Sequence, residues 1–196
     1  MINILNWLFL LVTLVASFGQ LLSRSWKWIL GFLALQYLGV FWFVQITWPF
    51  SLAIVKLISG IIACLALASS QEGTTSFSKL ETYWPQGRLF RSFAAGLVLL
   101  TTLGVSPQAS YWLGINNLHG IWVSLVLMGL GLLQLGITAQ PMRVIIALLT
   151  FLSGFEILYS FVEKSTLVAA LLVLINIGLS LVGVYLLKPV NRERSR

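Results

Sequence analysis

The sequence predicts an all-α integral membrane protein of about seven transmembrane helices, and three observations predict it. Of 196 residues, 59% are hydrophobic and only 9% charged, with a mean hydropathy of +0.97, whereas soluble domains carry about 25% charged residues. The apolar residues fall into seven runs, each near the ~20 residues that a helix needs to cross a bilayer. The basic residues gather on alternate connections, as expected where Lys and Arg stay on the cytoplasmic side.

The first span, Ile2 to Leu22, has neither a basic leader nor a small-residue cleavage site, and Arg24 and Lys27 follow it directly. It therefore reads as a retained helix rather than a signal peptide. The second, Trp26 to Gln45, ends before the short connection Ile46 to Pro49, and the third runs from Phe50 to Ser69. The polar stretch Ser70 to Glu81 then divides the chain and is too short for a soluble domain. The fourth span, Leu89 to Val105, is the shortest, and the charges require it. With seven spans, Arg24 and Lys27, then Lys79, Arg88 and Arg91, then Arg143, and finally Lys188, Arg192, Arg194 and Arg196 share one face; with six they scatter. The fifth, sixth and seventh spans are Leu118 to Thr138, Met142 to Val162 and Ser165 to Leu187. Pro49, Pro85, Pro107, Pro141 and Pro189 are all expected at helix ends.

This count puts the N-terminus outside and the C-terminus in the cytoplasm of a prokaryotic inner or plasma membrane. Aromatic residues such as Trp26, Trp28, Trp42, Trp48, Tyr83, Trp84, Tyr111, Trp112, Trp122 and Tyr159 lie mostly near the proposed interfaces, where amphipathic rings anchor helices. Each of Trp26-Lys27-Trp28 and Met142-Arg143-Val144 opens an apolar span on a basic residue, and each is followed by a short outer turn and another span. That suggests a parallel repeat. An N-terminal three-helix unit (1–69) and a C-terminal one (106–187) would be separated by a cytoplasmic loop (70–88) and a spacer helix (89–105), with a basic cytoplasmic tail (188–196).

Several function classes find no support. The net charge of +7 is spread over short loops and a tail, without the basic, aromatic-studded surface of a nucleic-acid binder. Cys64 stands alone in an apolar run, so there is no disulfide framework. With no Asp, one His and one Cys, no metal site can be assembled, and no catalytic triad, phosphate loop or redox-cofactor motif is present.

The residue that stands out is Glu156, inside the apolar run from Met142 to Leu158. A charge at membrane depth costs roughly 2.5–3.5 kcal/mol on insertion scales, so such residues are paired, neutral or functional. Lys56 is the second embedded charge. Each lies on the order of 10 Å inside the outer end of its helix at ~1.5 Å per residue, so the two can pair if their helices pack together; the alternative for Lys56 is snorkelling outward. Other polar residues in the spans are Gln36, Gln45, Gln134, Asn176, Thr101, Thr102, Ser153 and Ser180, with His119 at a helix start; Gln36 and Asn176 more commonly join helices than bind substrates.

The pattern Gly154-Phe155-Glu156-Ile157-Leu158, followed by Ile177-Gly178-Leu179-Ser180, resembles the last two helices of the K-type (4L-type) subunit of respiratory complex I, whose relatives include the C subunit of Mrp cation/proton antiporters and component E of hydrogenase-4 complexes. Component E is the most similar, being longer with extra N-terminal helices; Ser25-Trp26-Lys27, Gly31-Phe32, Ala34, Gln36 and the embedded Lys56 are similar to its early region. The resemblance implies a non-catalytic subunit of a proton- or sodium-translocating complex, partnered by antiporter-like membrane subunits, with Glu156 in the proton path; Lys56, at a similar depth, is its candidate counter-charge, and Asn176 is the further polar residue assigned to that path. Aligned on Ile177-Gly178-Leu179, the sequence has Leu174 where the complex I subunit carries a second Glu, and about Val40 where the first repeat half would carry one. A reduced relay or a scaffold role thus stays open, as do two rivals: a small autonomous transporter with its site near Lys56, Glu156 and Asn176, and a structural or assembly protein in which the two charges neutralise each other.

Overall fold

The computed structural model describes residues 2–23, 25–70, 87–115 and 117–187. Most of the expected cytoplasmic loop and the whole basic tail, with Arg24, Lys79, Tyr83, Trp84, Pro85 and Pro189, lie outside the described residues. Among those described there are seven helices: α1 (Ile2–Leu22), α2 (Trp26–Gln45), α3 (Phe50–Ser69), α4 (Arg88–Leu113), α5 (Leu118–Ile137), α6 (Pro141–Val162) and α7 (Thr166–Leu187). All seven are long and apolar enough to cross a membrane, and the chain is an all-α integral membrane protein. Local signals set several ends. The Asn117 side chain accepts a hydrogen bond from the Gly120 amide at 3.2 Å to cap α5, and Pro141, whose missing N–H costs nothing in a first turn, opens α6.

One boundary corrects the sequence reading. α4 continues to Leu113 and carries Pro107 in its interior, not at its end. Proline removes the N–H that the Leu103 carbonyl would receive, and the Ser106 hydroxyl donates to that carbonyl instead, at 3.2 Å. The helix stops at Gly114, whose φ of 66° places it in the left-handed region. The Ile115 amide reaches back to the Ser110 carbonyl and the Gly114 amide to that of Tyr111, the Schellman arrangement that satisfies the last carbonyls.

Helices α1, α2 and α3 pack in sequence as one row and α5, α6 and α7 as another. The rows lie face to face in register, α1 against α5, α2 against α6 and α3 against α7, while α4 flanks α1 and α5. Lipid tails are as apolar as leucine, so close packing rather than water exclusion must hold such helices together. The tightest seam joins α5 to α6. A Cβ on Gly154 would stand 2.6 Å from the Ser124 carbonyl oxygen and 2.8 Å from the Met128 amide, and one on Gly131 would meet the Phe151 amide at 2.8 Å.

Two buried apolar clusters fill the junction of the rows. One, near the end of the bundle that carries Lys27, Arg91 and Arg143, centres on Leu33, Leu67, Ile146 and Leu149; the other, near the opposite end, centres on Val40, Phe43, Leu127 and Ile157. Leu8 and Leu11 of α1, Phe93 and Leu97 of α4, and Leu167 and Leu171 of α7 point outward, where lipid covers them. Trp28, Tyr111 and Trp112 are exposed near helix ends as anchoring requires, but Trp48 is buried and its indole donates to the Glu163 carbonyl at 3.2 Å.

Candidate functional site

Between the two apolar clusters, Lys56 of α3 and Glu156 of α6 form an ion pair through Nζ and Oε2. Both are buried, at 4% and 3% exposure, so the Lys56 side chain turns into the bundle and does not snorkel. The two positions stand at similar depths; α3 and α6 both pack on α2 and α7, and the two long side chains reach each other across the junction between them. Two ions removed from water need both each other and further hydrogen bonds to offset their lost hydration. Here those further bonds are short in supply. Among the described residues neither Lys56 Nζ nor either Glu156 oxygen has a hydrogen-bond partner beyond the pair itself, although an ammonium offers three donors and a carboxylate about four acceptor sites.

Two neighbours from α2 and α7 complete the setting. Lys56 Nζ lies 5.4 Å from the centroid of the Tyr37 ring, within the ~6 Å at which a ring face attracts a cation. The Tyr37 hydroxyl donates to Asn176 Oδ1 at 2.9 Å, Asn176 Nδ2 donates to Ser59 Oγ at 3.3 Å, and the Ser59 hydroxyl donates to the Lys56 carbonyl at 2.8 Å. Asn176 is fully buried. All three site residues named from sequence thus come together, and Tyr37 and Ser59 join them. Gly60 makes the Tyr37 position available: a Cβ there would stand 2.5 Å from Tyr37 Cγ.

Replacing Tyr37 by Phe keeps the ring beneath Lys56 and deletes the bond to Asn176. The expected cost is about 1 kcal/mol, read as a modest fall in the thermal midpoint of the purified protein in detergent; an unchanged midpoint would show that the hydroxyl contributes nothing.

A cleft of about 90 Å³ opens beside the pair, walled by Val44, Trp48, Leu52, Val55, Thr166 and Ala169. That space exceeds the ~10–15 Å³ of probe-occupied volume that one water requires. The walls are nearly all apolar, so the unmatched donors and acceptors of Lys56 and Glu156 are the principal polar features a water or ion in the cleft would meet. It reaches from the pair toward the end of the bundle where Trp48 and Thr166 lie.

The remaining sequence candidates are dispersed. Leu174, aligned with the second acid of the complex I subunit, is 68% exposed on the outside of α7; Val40 is fully buried in an apolar cluster. His119 stands edge-on to Trp7 of α1, with ring centroids 4.9 Å apart. Gln134 is buried on α5, and Thr101 faces outward on α4. No group of three His, Cys, Asp or Glu able to hold a metal occurs among the described residues. Tyr37 went unnoticed in the sequence because an aromatic residue in an apolar helix looks like packing. Compared with protein-family models, curated proteins and solved structures, the chain matches none.

Proposed function

We propose that this protein is a non-catalytic membrane subunit of an ion-translocating complex, of the complex I, membrane hydrogenase or Mrp antiporter type, and that protons or sodium ions pass by way of Glu156 with Lys56 as counter-charge. The observation that carries this reading is the buried Lys56–Glu156 pair left with unmatched donors and acceptors on the wall of a cleft. A pair kept only for structure gains most when its remaining valences are saturated; a pair that exchanges a proton or meets a passing ion needs free valences. With the basic end of the bundle in the cytoplasm, the cleft serves the outer side. Helices with so few polar side chains of their own leave the rest of an ion path to be lined by antiporter-like partner subunits.

The test is Glu156→Gln, which keeps size and removes the ionisable proton. In membrane vesicles from cells carrying the variant, ion-coupled proton movement followed by a pH-sensitive dye is lost, while native gels show the protein at its normal abundance and in its normal assembly. Undiminished proton movement would overturn the proposal.

A second reading, a small autonomous transporter, draws on the placing of the cleft and pair at the junction of the two rows, where α3 meets α7 beside α6, the kind of junction at which repeat-built transporters bind substrate. Purified protein alone, reconstituted in liposomes, would then move its ion without partners.

A further inference from the structure

The buried polar residues do not end at the ion pair. On α6, Thr150, Ser153 and Glu156 follow one another at intervals of three residues, and Arg143 lies two turns before Thr150. All four are buried, so buried polar groups recur over about 20 Å of α6 at ~1.5 Å per residue, their direction turning by about 60° with each three-residue step. Opposite the middle of that length stand Gln20 of α1 and Gln36 of α2, both fully buried. Gln20 Nε2 donates to Gln36 Oε1 at 2.6 Å, and the Thr150 hydroxyl lies 3.0 Å from Gln20 Oε1. Past them, the Arg143 guanidinium donates to the Ser23 carbonyl at 2.9 Å, at the basic end.

Two details set this cluster apart from polar groups that merely join helices. Thr150 has one hydroxyl proton and two acceptors in range, Gln20 Oε1 at 3.0 Å and its own helix's Ile146 carbonyl at 2.9 Å, so the proton has two directions to point. Gln36 Nε2 is buried and has no acceptor among the described residues, in a chain position adjoining Tyr37 of the site. A buried amide N–H without a partner is costly, and water is the ordinary way of satisfying it.

We propose that Gln20, Gln36 and Thr150 form a water-binding relay station that carries protons between the Lys56–Glu156 pair and the basic end of the bundle. This rests on the translocating role proposed for Glu156. A water held on Gln36 Nε2 takes up a proton on its free lone pair and releases one of its own, and the Thr150 oxygen takes a proton from one neighbouring water while its own hydroxyl proton leaves to the next; the hydroxyl then turns back between Gln20 Oε1 and the Ile146 carbonyl to its first orientation. One proton moves through and every group ends as it began.

The test uses the full chain in its native membrane vesicles, with Thr150→Val, Thr150→Ser and Gln36→Leu compared against Glu156→Gln. Expected are loss of most proton movement in Thr150→Val and Gln36→Leu at normal abundance, recovery in Thr150→Ser, and, in a high-resolution structure of the unaltered protein, an ordered water within hydrogen-bonding distance of Gln36 Nε2. If Glu156→Gln abolishes movement while Thr150→Val and Gln36→Leu retain it, the station is wrong and the reading of Glu156 stands. If Glu156→Gln itself moves protons normally, the reading beneath it fails. Should either apolar variant fail to fold, the water decides: none at Gln36 overturns the station.

Discussion

Glu156→Leu alone should lower the stability of the bundle by about 3–5 kcal/mol, and adding Lys56→Leu should return most of that loss. The single change leaves the Lys56 ammonium buried among α2, α3 and α7 with no carboxylate to face, and the ring of Tyr37 at 5.4 Å can replace only a small part of the attraction. The double change removes both charges and fills the space with apolar side chains, which is often neutral or even stabilising. Thermal unfolding of the four proteins in one detergent gives the coupling energy directly as a double-mutant cycle. Losses that simply add would mean that the two side chains do not interact. The same double variant separates function from architecture: a stable protein that no longer supports ion movement speaks for the relay, and one that still does speaks for a structural pair.

Gly154→Val should be more damaging than any substitution on the outer faces, with a cost above about 3 kcal/mol and little folded protein recovered. Overpacking a core commonly costs about 1–3 kcal/mol because side chains can shift. Here the obstacles include the Ser124 carbonyl and the Met128 amide, 2.6 and 2.8 Å from where the Cβ would lie, and backbone cannot move without parting α5 from α6. Glu156 is two residues away, so whatever protein folds carries its carboxylate displaced from Lys56. Gly178→Ala is the control: nothing lies within 4 Å of a Cβ there, and alanine is the better helix former by roughly 0.5–1 kcal/mol. Size-exclusion profiles of the detergent-extracted variants, set beside the unaltered chain, read out both. A monodisperse Gly154→Val protein at normal yield would refute the seam as described.

The span boundaries were legible in the sequence because hydropathy, length and the positions of Lys and Arg are local quantities. The ends of α1, α2 and α3 fall at the residues expected. α4 shows where local reading fails. Ser106, Pro107, Gln108 and Ser110 look like a loop, yet the stretch is helical, with the Ser106 hydroxyl on the Leu103 carbonyl that Pro107 leaves open and a Schellman close at Gly114. The depth of Glu156 and Lys56 was likewise readable by counting residues from helix ends. The recurrence of Thr150, Ser153 and Glu156, with Arg143 seven residues ahead of Thr150, was a further signal that polar groups run along the sixth helix.

What the sequence by itself determined was a seven-helix membrane protein with two charges where lipid would not tolerate them apart. What the tertiary structure alone decided was which faces meet. The pairing of Lys56 with Glu156 requires α3 and α6 to be rotated toward each other, and Tyr37 reaches the pair because Gly60 leaves room for its ring. Gln20 finds Gln36 and Thr150 because α1, α2 and α6 converge at that level. Hydropathy carries little information about rotation in helices apolar nearly all round, since lipid accepts any apolar face equally. Rotation and partner are fixed by steric fit between small residues and by the need of each buried polar group for another, and both depend on residues distant in the chain.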